Sequence, residues 1–279
     1  MNSPLQYGDG YIVRNNPTDI AESKAFLQAV WSQIAAAFNN SYGQRLIFET
    51  MNEPRNCGHT GYNPIKDENT SHEWSPGLAV EWKEPDEKGN YYYWCNFTEC
   101  EECIADYKIL NEYNQLCLDT IRSSGGNNAS RFVMIPSLCT GMEEALHQEF
   151  KLPQDTATDK LILTVHNYTL GPNKENVKTE ITPFMKYQLE KDLTALNEKY
   201  IKNGIPVVLG ETGALRKLID KPVRIEWYKY FCGLCASYNI PVCWWDCGAD
   251  REATMAELNR TSLKPYEADF VKMFTGAFE

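Results

Sequence analysis

The sequence predicts an α/β fold, a parallel barrel of the (β/α)8 type with about five strands recognisable. Three observations carry this expectation. Short apolar runs at 45–50, 131–136, 161–166, 205–210 and 240–245 alternate with longer stretches of helical periodicity, the pattern of βα units. Two of the runs end abruptly in a carboxylate: Leu46-Ile47-Phe48 leads to Asn52-Glu53-Pro54, and Val207-Val208-Leu209 to Gly210-Glu211-Thr212-Gly213. Pro54 has no N–H and cannot continue a ladder, so Asn52 and Glu53 fall at the C-terminal lip of their strand, where parallel barrels collect reactive groups. At 279 residues the chain is long enough for one such domain, whose usual size is about 250 residues.

Taken in order, residues 1–17 carry Pro4, Gly8, Gly10 and Pro17 and read as irregular. Thr18 or Asp19 then caps a helix to about residue 38, with Leu27, Trp31, Ile34 and Phe38 on one face. The 45–50 strand follows. Residues 56–105 mix Pro, Gly, Asn and charges with Trp74, Trp82, Tyr91, Tyr92, Tyr93 and Trp94, without a sustained period. A loop this long inside a domain tends to be functional, although a small core of its own accounts for most of its aromatics. A helix over 105–123 stops at Gly125-Gly126. After the 131–136 and 161–166 strands come a helix over 183–203 and the 205–210 strand. A helix over 222–237 then shows Val223, Trp227, Tyr230, Phe231 and Leu234 on one side. The 240–245 strand and a closing helix over 265–274 complete the chain, with no internal repeat.

The apolar fraction is 43%, yet no apolar run approaches the roughly 20 residues of a membrane span, so a soluble globular protein is expected. A net charge of −11 argues against a nucleic-acid partner, which would favour a basic face. The start of the chain is polar and shows no apolar signal core. There are ten cysteines. Cys100-x-x-Cys103, with Cys95 and Cys57 nearby, is compatible with a zinc site, although no second clean Cys-x-x-Cys lies in the same loop. Disulfides within 57–103 suit an exported protein instead. Cys232 and Cys235 fall one helical turn apart and read as small core-facing residues.

Two glutamates on two strand ends are what glycoside hydrolysis asks for. One stays protonated to donate to the leaving oxygen; the other is ionised to attack the anomeric carbon. The surrounding residues resemble glycoside hydrolase family 5. Asn52-Glu53-Pro54 is similar to the acid/base motif of that family, Gly210-Glu211-Thr212-Gly213 to its nucleophile motif and His166-Asn167-Tyr168 to its His-x-Tyr motif. Trp244-Trp245-Asp246 resembles the aromatic end of its last strand. Ser124-Gly125-Gly126-Asn127-Asn128-Ala129, followed by a strand, matches a turn common in its bacterial-type endoglucanases. The five motifs stand in the family's order with strands between them.

The resemblance implies a retaining endo-β-1,4-glucanase acting on cellulose or a related β-glucan. Xyloglucan, mannan, xylan and mixed-linkage glucan stay open, because subsite loops decide the substrate. A non-catalytic carbohydrate-binding or vestigial protein is the other class. Glu53 would be the general acid/base and Glu211 the nucleophile, with the carboxyls about 5–5.5 Å apart. Asn52 would bond the sugar 2-hydroxyl, Tyr168 would orient Glu211, and His166 would contact the sugar or the acid/base. Trp245 would form the platform under the −1 sugar, with Trp244 packed outward against helices by strand alternation. The aromatics of 56–105 leave the same rim as Glu53 and could add sugar-stacking surface. Glu49 is the rival carboxylate on the Glu53 strand, and Glu53 itself could instead be a strand-end carboxylate paired with Arg55. No metal or organic cofactor is implied, and phosphate-loop and dinucleotide fingerprints are absent.

In the family, the acid/base glutamate ends the fourth strand and the nucleophile the seventh. The five strands are therefore expected to be the fourth to eighth of the barrel. They would belong to a single catalytic domain over 1–279 that lacks the first three βα units and carries an insertion at about 56–105. An open arc of this kind would leave apolar side chains and strand edges uncovered. A polymer substrate implies export of the full-length protein; the oligomeric state is left open.

Overall fold

A computed structural model of the chain describes residues 17–54, 81–82, 93–94, 101–171, 177–248 and 254–277. The stretch before residue 17, Arg55, most of the 56–105 insertion, and the zinc or disulfide alternatives for Cys57, Cys95, Cys100 and Cys103 lie outside the described residues. The elements in chain order are α1 (Pro17–Phe38), β1 (Phe48–Glu49), β2 (Glu81–Trp82), β3 (Tyr93–Trp94), α2 (Glu101–Ser123), β4 (Val133–Gly141) and α3 (Met142–Leu146). They continue with β5 (Leu161–Asn167), α4 (Pro183–Lys199), β6 (Val207–Thr212), α5 (Lys221–Ser237), β7 (Val242–Trp244), β8 (Leu258–Asn259), β9 (Lys264–Pro265) and α6 (Ala268–Gly276). Among the described residues, no helix is long and apolar enough to cross a membrane.

Contacts divide the chain into two units, Met1–Leu163 and Thr164–Glu279, and the division falls inside β5. The first unit has the strand order β1-β4-β5 and the second β5-β6-β7. β1 runs parallel to β4, with Phe48 opposite Val133, and β6 runs parallel to β7. The pairs β2/β3 and β8/β9 are small antiparallel ribbons.

In the first unit α1 packs on α2. Leu27 and Trp31 are buried as their spacing predicts, but Phe38 is 42% exposed and Ala35 takes the next core position. Ala35 follows Trp31 at i+4, whereas Phe38 falls on the last residue of the helix, where its ring meets Tyr42 instead. α2 begins at Glu101, earlier than expected, and buries Tyr107, Leu110, Tyr113, Asn114, Cys117 and Ile121. Asn114 reaches into the sheet: its amide donates to the Pro136 carbonyl (3.1 Å) and its oxygen accepts from Thr50 Oγ1 (2.7 Å). Trp31 Nε1 donates to the Thr50 carbonyl (3.0 Å). The segment that leaves β1 is thus pinned by both helices.

The strand expected at 45–50 contracts to two residues because a residue far along the chain claims its start. Arg131 is fully buried, and its guanidinium donates to the carbonyls of Phe38, Asn39, Ser41, Gly43 and Leu46 and to Asn128 Oδ1. The chain from 38 to 46 winds around one cation, so the Leu46 carbonyl serves that cation and the ladder starts at Phe48.

In the second unit the buried face of α5 is Arg224, Trp227, Tyr228, Phe231, Cys232 and Cys235. Trp227 and Phe231 lie where the periodicity puts them; Val223, Tyr230 and Leu234 are only half-buried. Arg224 displaces them. It enters the core because Glu257 (3.0 Å) and Glu267 (2.6 Å) neutralise it and Phe270 lies under its guanidinium. Cys232 and Cys235 face the core as their spacing suggests, and burial pushes the Cys232 thiol up to about 12. Trp244 packs outward against Tyr228 of α5 (5.0 Å between centroids) and Phe270 and Phe274 of α6 (5.2 and 5.4 Å), as alternation along β7 requires. Each such aromatic contact adds about 0.5–1.5 kcal/mol beyond the area it buries.

Candidate active site

The first unit holds Asn52 and Glu53. Beyond β1, Met51 and Pro54 turn into the core, Asn52 is exposed and Glu53 is half-buried. Glu49 lies within β1 opposite Met134, also half-buried. Glu53 has φ +44, in the left-handed region where a non-glycine residue stores about 1–3 kcal/mol of strain. The end of β4 is strained in the same way, with Cys139 at φ +55 and Thr140 at φ +53. These two segments bond to each other. The Cys139 amide donates to the Pro54 carbonyl (2.7 Å), and the Glu53 amide donates to Thr140 Oγ1 (3.0 Å). Thr140 is fully buried.

The second unit holds His166, Tyr168, Glu211 and Trp245. Glu211 sits in a β-bulge: Leu209 to Thr212 of β6 faces Val242 to Trp244 of β7, so the strand carries an extra residue there. Bulges re-aim a side chain, and this one coincides with the carboxylate. The Tyr168 hydroxyl donates to Glu211 Oε2 at 2.7 Å, and His166 Nδ1 lies 3.4 Å from the same oxygen. The His166 side chain is buried, while that of Glu211 keeps 16% of its surface accessible. The flanking glycines sit close to neighbouring side chains: a Cβ on Gly210 would lie 2.8 Å from Thr164 Oγ1, and one on Gly213, 2.3 Å from Met255 Sδ, would oblige the Met255 side chain to shift.

Directly after β7, Trp245 is 47% exposed and its amide donates to the Thr212 carbonyl (2.8 Å). Asp246, the next residue, accepts from the amides of Gly248 (2.8 Å), Leu258 (2.8 Å) and Glu257 (3.1 Å) and from Arg260 Nη2 (3.2 Å). Burial works against its charge, yet these accepted bonds hold the Asp246 carboxyl below the usual carboxylate range. Trp244 Nε1 donates to the Met255 carbonyl (2.8 Å), so the segment 255–258 braces the end of β7 at several points.

Every residue expected from the motifs is thus described: His166 and Glu211 near the ends of β5 and β6, Tyr168 and Trp245 directly after β5 and β7, and Asn52 and Glu53 in the segment that leaves β1. Sequence reasoning missed two features. Thr140 carries no sequence signal, because a left-handed Cys-Thr pair reads as ordinary strand. Asp246 was visible in its motif, but two of its three backbone partners lie eleven and twelve residues on, in a stretch that showed no periodicity.

Parallel βα units with carboxylates at strand ends are the arrangement found in barrel glycoside hydrolases, among other barrel enzymes, and comparison with known proteins identifies the family. The family described as Cellulase (glycosyl hydrolase family 5) matches residues 7–251. The chain belongs to glycoside hydrolase family 5. It is similar to Endoglucanase A of Clostridium longisporum, 29% identical over 263 residues that cover 91% of this chain and 43% of that protein. It is also similar to Endoglucanase B of Neocallimastix patriciarum, 32% identical over 232 residues, 82% of this chain and 41% of that protein. The family 5 lichenase from Caldicellulosiruptor sp. F32, solved with cellotetraose, superposes with a TM-score of 0.76 at 26% identity, over 96% of this chain and 66% of that one. The chain therefore spans less than half the length of these two curated relatives. Its five parallel strands are part of the (β/α)8 barrel of the family.

Proposed function

We propose that this chain carries the chemistry of a retaining endo-β-1,4-glucanase that hydrolyses cellulose or a related β-glucan by double displacement. The observation that supports this best is the 2.7 Å bond from Tyr168 to Glu211 Oε2. One carboxylate oxygen is held by a phenol, which supports Oε1 as the oxygen that attacks an anomeric carbon. Glu53, as general acid, protonates the departing glycosidic oxygen while Glu211 forms the glycosyl ester. Glu53 then takes the proton of a water that attacks from the same face, and the configuration is retained.

Asn52, exposed beside Glu53, is suited to bond the 2-hydroxyl, a contact that strengthens at the transition state. Trp245 offers an accessible indole face to the −1 sugar, and His166 adds a polar contact next to the nucleophile. The relatives support the substrate class: they are named endoglucanases and a lichenase, the last with a bound cello-oligosaccharide. Mixed-linkage glucan, xyloglucan and mannan are the alternatives within the same chemistry. A polymer substrate also favours export of the whole protein.

The test is hydrolysis of carboxymethyl-cellulose, mixed-linkage β-glucan, xyloglucan and mannan by the chain and by Glu53→Gln and Glu211→Gln. Activity on a β-glucan that falls by at least about 10³-fold in both variants supports the reading. Cello-oligosaccharide binding without turnover would support a carbohydrate-binding protein instead. Turnover that survives either substitution would overturn the residue assignment.

A further inference from the structure

We propose that Thr140 is a positioning residue for Glu53: its hydroxyl, by accepting the Glu53 amide, keeps the glutamate in the left-handed backbone conformation from which its carboxyl serves the leaving group. The inference rests on the reading of Glu53 as acid/base.

Three observations carry it. The first is a coincidence of strain: Glu53 and Thr140 are both non-glycine residues at positive φ, and they are joined directly by the 3.0 Å bond from the Glu53 amide to Thr140 Oγ1. A β-branched residue at positive φ is a true outlier, and glycine would take that conformation without penalty. A threonine kept at such a position points to a use for its side chain, and the side chain is seen in use.

The second is enclosure. Thr140 is fully buried and half-buried Glu53 is adjacent, so water does not readily replace the hydroxyl as acceptor for the amide. The third is the flanking bond from the Cys139 amide to the Pro54 carbonyl at 2.7 Å. Together the two bonds hold the Glu53–Pro54 backbone on both sides of the peptide that links these residues. Without the Thr140 acceptor, Glu53 is free to relax toward negative φ, which re-aims its Cα–Cβ bond and moves the carboxyl.

Leaving-group dependence separates this role from general stabilisation. A misplaced acid harms substrates whose leaving alcohol must be protonated and spares those that depart as a stable phenolate. Thr140→Val keeps shape and strain but removes the acceptor; Thr140→Ser keeps the acceptor. Thr140→Val is expected to lower kcat/KM on cellotetraose by about 10–100-fold and on dinitrophenyl β-cellobioside by less than about threefold, part of what acid–base catalysis contributes. Thr140→Ser should stay near the parent on both substrates.

Equal losses on both substrates with Thr140→Val, or no loss on either, would overturn the proposal. Glu53→Gln serves as the reference. If it lacks the same leaving-group selectivity, the acid/base reading fails; if it shows the selectivity and Thr140→Val does not, the Thr140 proposal fails alone. Should the parent chain turn over neither substrate, a crystal structure of Thr140→Val decides: Glu53 at negative φ supports the proposal, and Glu53 still at positive φ overturns it.

Discussion

Tyr168 and Glu211, on the ends of β5 and β6, are joined by a single short bond from phenol to carboxylate, 2.7 Å long. The acceptor, Oε2, is also the oxygen nearest His166 Nδ1. A bond to a charged group contributes about 1.5–3 kcal/mol, and in the proposed mechanism it selects which oxygen of Glu211 reacts. Tyr168→Phe is therefore expected to lower kcat on a β-glucan by about 10–100-fold while leaving the melting temperature nearly unchanged. Steady-state kinetics with a thermal melt checks both. Unaltered kcat would remove Tyr168 from the orienting role.

Glu257 and Asp246 give opposite pH signatures. Burial is the largest influence on Glu257; Arg224 opposes it and the Glu267 charge adds to it, leaving the carboxyl pushed up to about 7. The unfolded chain releases this proton near pH ~4.3, so from there to about pH 7 the folded state holds a proton that the unfolded state has lost. The contribution of Glu257 to stability is therefore present below about pH 4.3, falls as pH rises through this window, and is flat above it. Glu257→Gln should abolish that fall. Asp246 has the reverse sign: its depressed value contributes stability above its unfolded value of ~3.9, lost as pH drops through the lower folded value. Asp246→Asn should flatten the acid limb and, because the Asp246 charge helps to raise Glu257, also reduce the fall above about pH 4.3 without abolishing it. Melting temperatures from about pH 3 to about pH 8 distinguish the two, and a Glu257→Gln profile parallel to the parent would refute the first assignment.

Arg131 should not tolerate lysine. Its planar fork serves carbonyls from Phe38 to Leu46 at once, and a single ammonium with three donors cannot reach them all. Arg131→Lys is expected to cost about 2–4 kcal/mol in denaturant unfolding, with proteolytic nicking concentrated at 38–46. A cost within about 0.5 kcal/mol would show that the loop holds itself.

The same arginine shows where sequence reading stops. The existence and order of the five strands and their helices were legible, because apolar runs and helical periodicity are local signals. The true start of β1 was not, since the Leu46 carbonyl is claimed by a residue far along the chain. Arg224 is parallel: a helix face was read from apolar spacing, but carboxylates at 257 and 267 let a cation take the core position. At the site, motifs placed His166, Tyr168, Glu211 and Trp245 on strand ends, and alternation sent Trp244 outward correctly. The left-handed turns at Glu53, Cys139 and Thr140 left no mark, because no glycine or asparagine stands there to announce them.

Double displacement by Glu53 and Glu211 would release the β-anomer from a β-glucan. Its most direct test is the anomeric configuration of product formed in the first minutes of cello-oligosaccharide hydrolysis, followed by proton NMR before mutarotation, with Glu53→Gln and Glu211→Gln alongside. The expected result is the β-anomer appearing first from the parent chain and no product from either variant. The α-anomer appearing first, or turnover undiminished in either variant, would contradict it.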